Sequence, residues 1–262
     1  MTHILVTNDD GINGPGLIAL VQALRSLGKV TVCVPERNWS AGGHVKTLHK
    51  PLRAWDSKLS DGTTVIVSNG APSDCVALAM LGLVPGTIDL VVSGINAGAN
   101  LGYDLTYSGT VTAAMEAVIS GAPAISISLC VPEPEQECDY TAAARFALRA
   151  SRNMLGRKIS KGILLNINVP CLPEEKIRGV RITRQGLRVY RDELVARTDP
   201  RGKPYYWIGG GPPTGIPEED SDFWAVSEGF ISVTPVQLDL TAYSALEGLR
   251  EWDWMDGIAA GD

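Results

Sequence analysis

Apolar residues in this chain fall into short, near-continuous runs separated by amphipathic stretches. The runs at Ile4–Thr7, Val30–Pro35, Thr64–Ser68, Ile88–Ser93, Ala124–Leu129 and Gly162–Asn168 have strand length. "IDLVVS" and "AISISL" lack a polar face, the pattern of strands covered on both sides. The intervening segments have helical spacing. In "GLIALVQALRSLG", Leu17, Leu20, Val21, Leu24 and Leu27 share a face, and Gly28 is placed to end the helix. In "PSDCVALAMLG", Val76, Met80 and Leu83 align, with Ser73 as a candidate cap. "SGTVTAAMEAVISGAP" sets Val111, Ala114, Met115, Val118 and Ile119 on one side, stopped by Gly121 and Pro123. "YTAAARFALRASRNML" supplies another amphipathic helix. This alternation predicts an α/β fold: a doubly wound, mostly parallel sheet flanked by helices.

Beyond about residue 180 the pattern changes. Two strand-like pieces surround the turn Asp199–Gly202, and a Gly/Pro loop follows. We expect a projecting hairpin whose Tyr205, Tyr206 and Trp207 either contact another subunit or fold back on their own. A strand near Phe230–Thr234 and a helix with Leu246, Leu249 and Trp252 would close the chain. The expected organisation is an α/β core over 1–180 and an extension over 181–262, forming one structural unit.

Composition narrows the class. Apolar content of 45% and charged content of 20% suit a soluble globular chain of 262 residues. The formal net charge of −6 and the lack of a dense Lys/Arg cluster argue against a nucleic-acid groove. No apolar run reaches the ~18 residues of a membrane span, and Asp9 and Asp10 interrupt the first one. Five cysteines without a C-x-x-C pair read most simply as free thiols in the cytoplasm.

The candidate chemistry begins where the first strand ends, at "NDDG". In a parallel sheet, ligands bind outside the carboxyl ends of the strands. Asp9 and Asp10 follow the first strand, Ser40 in "PERNWSAGG" follows the second, and Asn96 in "SGINAGANLG" follows the strand ending at Ser93. The three loops leave the same edge. Two carboxylates, a hydroxyl and an amide carbonyl are hard oxygen donors, suited to Mg²⁺, Mn²⁺ or Ca²⁺ rather than zinc. Taken singly, each residue is as well read as an ordinary turn or loop residue; together they point to a cation. Ser108, Gly109 and Thr110 stand before an Ala-rich helix, where exposed N–H groups can bind an anion or Ser108 can simply cap. A cation beside such a helix start suits a phosphate ester.

"ILVTNDDGINGPGL", "PERNWSAGGHVKTLHKPLR", "SGINAGANLG", "YSGTVTAAMEA" and "SDFWAVSEGFISVTP" together resemble the SurE family of nucleotidases over His3 to about Thr241. The resemblance implies metal-dependent removal of phosphate from nucleoside 5′- or 3′-monophosphates, with one Mg²⁺ or Mn²⁺. It implies Asp9, Asp10, Ser40 and Asn96 as metal ligands, and Ser108, Gly109 and Thr110, with Asn100 nearby, as phosphate-binding residues. It also implies a homodimer or homotetramer in which the C-terminal hairpin takes part in subunit exchange. Many relatives carry Asp at the position of Glu36 and a small polar residue at that of Trp39.

On this reading Asp9 and Asp10 are the catalytic acids: they would hold the metal, and whichever keeps an oxygen free would take a proton from water. His44 is a weak candidate for the general acid. Two rivals share acids after the first strand. A haloacid-dehalogenase-like phosphatase, working through an aspartyl-phosphate, wants its aspartates separated by one residue. A receiver-type phosphoacceptor module wants an Asp ending the third strand, where this chain has Ser68 and Asn69.

Overall fold

The computed structural model describes residues 1–131, 138–157, 160–252 and 254. Its strands are β1 (His3–Thr7), β2 (Lys29–Pro35), β3 (Ala54–Lys58), β4 (Thr64–Ser68), β5 (Leu90–Ala97), β6 (Ala124–Cys130), β7 (Ile163–Pro170), β8 (Val180–Ile182), β9 (Arg188–Thr198), β10 (Pro204–Gly215) and β11 (Ile231–Gln237). Nine of them form one sheet in the order β3-β4-β2-β1-β5-β6-β7-β11-β8. The six from β4 to β7 pair in parallel, as the apolar runs predict. Three strands extend this set: β3 is antiparallel to β4, β11 is antiparallel to β7, and β8 runs parallel to β11.

Alternation along β1 explains the layering. Ile4 and Val6 pack with Leu17, Leu20, Val21 and Leu24 of α1 (Leu17–Leu24). Leu5 faces the opposite side, where α2 (Pro72–Leu78) and α3 (Gly109–Ile119) contribute Val76, Val111 and Ala114. Helix α4 (Thr141–Gly156) joins the α1 layer through Ala143, Ala147 and Met154. Burying each of the larger side chains stabilises the fold by roughly 1.5–3 kcal/mol. Both faces of the parallel strands are covered, so the sheet presents function only at its edges.

Several local expectations change. β3 is mostly exposed and carries Asp56 and Lys58, so this edge strand lacks the apolar alternation that signals one. Ser73 lies inside α2, not at its start: Ala71 is the cap, Pro72 opens the helix, and the Asp74 carboxylate accepts from the Ala71 N–H at 2.9 Å. Ile119 is 59% exposed at the last turn of α3, while Thr110, Ala113 and Ala117 complete the buried face. The Gly/Pro loop after Trp207 is strand: β10 runs to Gly215, paired to β9 across an irregularity between Gly211 and Thr214. The final helix α6 (Tyr243–Arg250) buries none of its residues, and Trp252 lies beyond it, stacked on Trp254.

The cysteines also correct the sequence reading. Cys138 and Cys171 form a disulfide, joining the approach to α4 to the exit of β7. Sequence spacing of 33 gave no hint of it, because the pairing depends on where the approach to α4 meets the exit of β7 in three dimensions. Cys33, Cys75 and Cys130 are free, and burial pushes the Cys130 thiol up to about 12. A closed loop of that length restricts the unfolded chain by about 4 kcal/mol. Reduction, or Cys138→Ser with Cys171→Ser, is therefore expected to lower the urea-extrapolated unfolding free energy by about that amount; an unchanged value would remove the disulfide's stabilising role.

Candidate active site

Asp9 and Asp10 leave β1 on a turn that Asn8 builds. Its side-chain amide donates to the Gly11 carbonyl at 2.9 Å and accepts from the Gly11 N–H at 3.1 Å. Gly11 has φ +78°, and a Cβ there would stand 2.8 Å from the Pro35 carbonyl oxygen. The second loop is tied to the same turn. The Trp39 N–H donates to the Asp9 carbonyl at 2.8 Å, Asn38 donates to Asp10 Oδ1 at 3.3 Å, and the Ser40 N–H donates to Asn38 Oδ1 at 2.7 Å.

The third element is α3. Thr110 Oγ1 donates to Asp9 Oδ1 at 2.5 Å, and the Gly109 and Thr110 N–H groups also reach the Asp9 carboxyl. Asp9 is nearly fully buried; burial holds it above the usual carboxylate range, and these donors oppose that. Asp10 is pushed up to about 6, first by burial and then by the charge of Asp9. Its Oδ2 is buried and finds no hydrogen-bond partner among the described residues.

These features test the residues against a divalent cation. Two acids held side by side above their ordinary range, one with an orphaned oxygen, form a site short of positive charge. Asn96 donates its Nδ2 to the Gly98 carbonyl at 2.8 Å, which leaves its own carbonyl oxygen uncommitted. Among the described residues no group of three His, Cys, Asp or Glu side chains clusters, so two carboxylates and neutral oxygens are the donors on offer. The set fits a hard cation.

Asp9, Ser40, Asn96, Asn100, Asp104 and Ser108 all line one open cleft of about 330 Å³; Asp10 is not part of its lining. Asn96 sits within β5, past a pairing irregularity between Ser93 and Asn96, rather than in the loop after Ser93. Asn100 is fixed by four hydrogen bonds to Ser128, Asn166 and Asn168. Its N–H donates to Asn168 Oδ1 at 2.8 Å and its Nδ2 to Ser128 Oγ at 2.7 Å, while Asn166 and Asn168 both donate to its carbonyl.

The start of α3 is arranged differently from an open anion site. The Ser108 N–H donates to the Asp104 carbonyl, those of Gly109 and Thr110 are directed at Asp9, and that of Val111 goes to Ser108 Oγ. The positive end of the helix dipole thus acts first on Asp9. Of this segment, Ser108 lines the cleft. His44 and Lys46 both meet buried Glu116 of α3, each at 3.1 Å, which clamps the segment after Ser40 onto the helix.

The C-terminal segment braces the cleft from outside. Asp222, at the start of α5 (Asp222–Ser227), accepts from the Gly102, Gly186 and Phe223 N–H groups at 2.8 Å each. Arg188 pairs with Asp104 at 2.6 Å, and Gln185 donates to the Gly102 carbonyl. Asn8, Glu116, Asn166, Asn168 and Asp222 escaped the sequence reading. "NDDG", with Asn three residues before Gly, carried a turn signal for the first; the others show their partners only in three dimensions.

A family profile described as Survival protein SurE matches residues 4–192. The chain belongs to the SurE family. A relative from Chloroflexus aggregans, named 5′-nucleotidase SurE, is 52% identical over 252 residues, covering 96% of this chain and 99% of the relative. One of the same name from Herpetosiphon aurantiacus is 47% identical over 252 residues, covering 96% and 98%. The crystal structure of the SurE protein from Aquifex aeolicus matches with a TM-score of 0.79 at 39% identity, covering 95% of this chain and 98% of that one. The SurE profile ends within β9, whereas these matches span the returning segment with Asp222.

Proposed function

We propose that the chain is a divalent-cation-dependent phosphomonoesterase that converts nucleoside 5′- and 3′-monophosphates to nucleoside and phosphate. The observation that carries this reading is the Asp9–Asp10 pair, with one buried oxygen unpartnered, behind a cleft that Asp9 lines together with Ser40, Asn96, Asn100 and Ser108. The relatives' name, 5′-nucleotidase SurE, supports the substrate class.

Asp9, Asp10, Ser40 and Asn96 would hold Mg²⁺ or Mn²⁺. When bound, such an ion supplies Lewis acidity and lowers the pKa of water. Asp9 is already oriented by Thr110 and the α3 N–H groups, so its role is to stay ionised and fixed. Asp10 Oδ2 is the uncommitted oxygen, and with the ion bound it would be the acid oxygen left to take a proton from water. The Ser108 hydroxyl and the Asn100 side chain, held in the cleft wall, orient the phosphate; Gly109 and Thr110 act through Asp9.

We further propose a homodimer or homotetramer in which β9–β10, with Tyr205, Tyr206 and Trp207 exposed, exchanges between subunits. The proposed compartment is the cytoplasm, where the Cys138–Cys171 disulfide would have to persist against reducing conditions. No helix among the described residues is long and apolar enough to cross a membrane.

The test is phosphate release from a panel of nucleoside 5′- and 3′-monophosphates with Mg²⁺ or Mn²⁺, and again in EDTA. Release abolished by EDTA and restored by either ion is the expected result. Metal-independent release, or a trapped phosphoenzyme, would sink the proposal.

A further inference from the structure

The residue directly before the cap of α3 is Tyr107. It lines the cleft with Asp9, Ser40 and Ser108, yet leaves 58% of its surface exposed. Its backbone is held on both sides: its N–H donates to the Asp104 carbonyl at 3.0 Å, and its carbonyl accepts from the Gly43 N–H at 2.9 Å. The ring stacks on no other aromatic ring among the described residues. Tyr107 thus presents an aromatic surface on a fixed backbone beside Ser108, in the lining of the cleft itself.

We infer that Tyr107 is the base platform of this site: the nucleobase stacks on its ring while the phosphate lies beside Ser108 and Asp9. The inference rests on the nucleotidase reading above and adds the group that distinguishes a nucleotide from other phosphate esters. Stacking requires a π-face and little else, so the platform takes purines and pyrimidines alike, with the larger purine held more tightly. Tyr103 provides a comparison. It is 55% exposed in the same turn, Gly102–Thr106, but is not part of the cleft lining.

The experiment compares kcat/KM for adenosine 5′-monophosphate and for ribose 5-phosphate, which lacks the base. Tyr107→Ala is expected to lower the nucleotide-to-ribose-phosphate ratio about tenfold, mainly through KM for the nucleotide. Tyr107→Phe keeps the ratio, because the ring and not the hydroxyl does the stacking. Tyr103→Ala leaves both substrates at the wild-type level. Equal losses on both substrates, or no loss on the nucleotide, would overturn the platform while leaving the phosphatase intact. A wild-type chain that hydrolyses neither ester would overturn the nucleotidase reading itself.

Discussion

Asp9→Asn is expected to lower phosphomonoesterase activity by at least ~10³-fold, on the order of 4 kcal/mol of transition-state stabilisation. The substitution keeps the size of the side chain but removes one of two charges that would hold the cation. It also sets a side-chain N–H₂ against the Gly109 and Thr110 N–H groups that now converge on the carboxyl. Stability should move the other way. Burial raises the Asp9 pKa, so stability falls as the pH rises from the ordinary carboxylate pKa to the folded one, and the full cost persists above it. In EDTA at neutral pH, with no cation to offset the acid, the Asn variant should melt no lower than wild type. Wild type should gain melting temperature when Mn²⁺ is added, and the variant should not. Activity assays with added metal and paired thermal melts check both halves. A fully active variant, or one still stabilised by Mn²⁺, would remove Asp9 from the metal site.

The second large effect is expected from a single methyl group. At Gly109 a Cβ would lie 2.7 Å from Asp9 Cβ and 3.0 Å from Asp9 Oδ2. Ala ordinarily favours a helix over Gly by about 1 kcal/mol, but a contact this short forces the helix start or the acid to move. Displacing a reactive group by about 1 Å costs on the order of 10²-fold in rate. Gly109→Ala should therefore reduce kcat by roughly that factor, with a much smaller change in stability. Gly156→Ala is the matched control, since a Cβ there meets nothing within 4 Å and the residue ends α4. Comparable kcat values for the two variants would show that the close approach of α3 to Asp9 is immaterial.

Much of this arrangement was readable from the residues because it depends on local pattern. The unbroken apolar runs of β1, β5 and β6 report burial on both faces, and parallel pairing then places their following loops at one edge. That is why Asp9, Ser40 and Asn96 could be brought together on paper, and they do line one cleft. What stayed hidden depends on partners distant in the chain. Nothing near Ser108–Thr110 says that the Thr110 hydroxyl is spent on an acid a hundred residues earlier. "DFWAVS" gives no sign of its bracing role until Asp222 is seen accepting from the Gly102 N–H. β3 was invisible because its sequence, Ala-Trp-Asp-Ser-Lys, is suited to an exposed edge rather than to a core.

The Asp222 clamp also has a meaning in time. During synthesis the two acids leave the ribosome more than two hundred residues before Asp222, and the strands that set the edge follow them in order. The contacts to Gly102 and Gly186 must wait until residue 222 has emerged. The cleft's chemistry is thus written at the beginning of the chain and its buttress near the end. A nascent chain carries Asp9 and Asp10 through nearly its whole elongation before the wall beside them is braced.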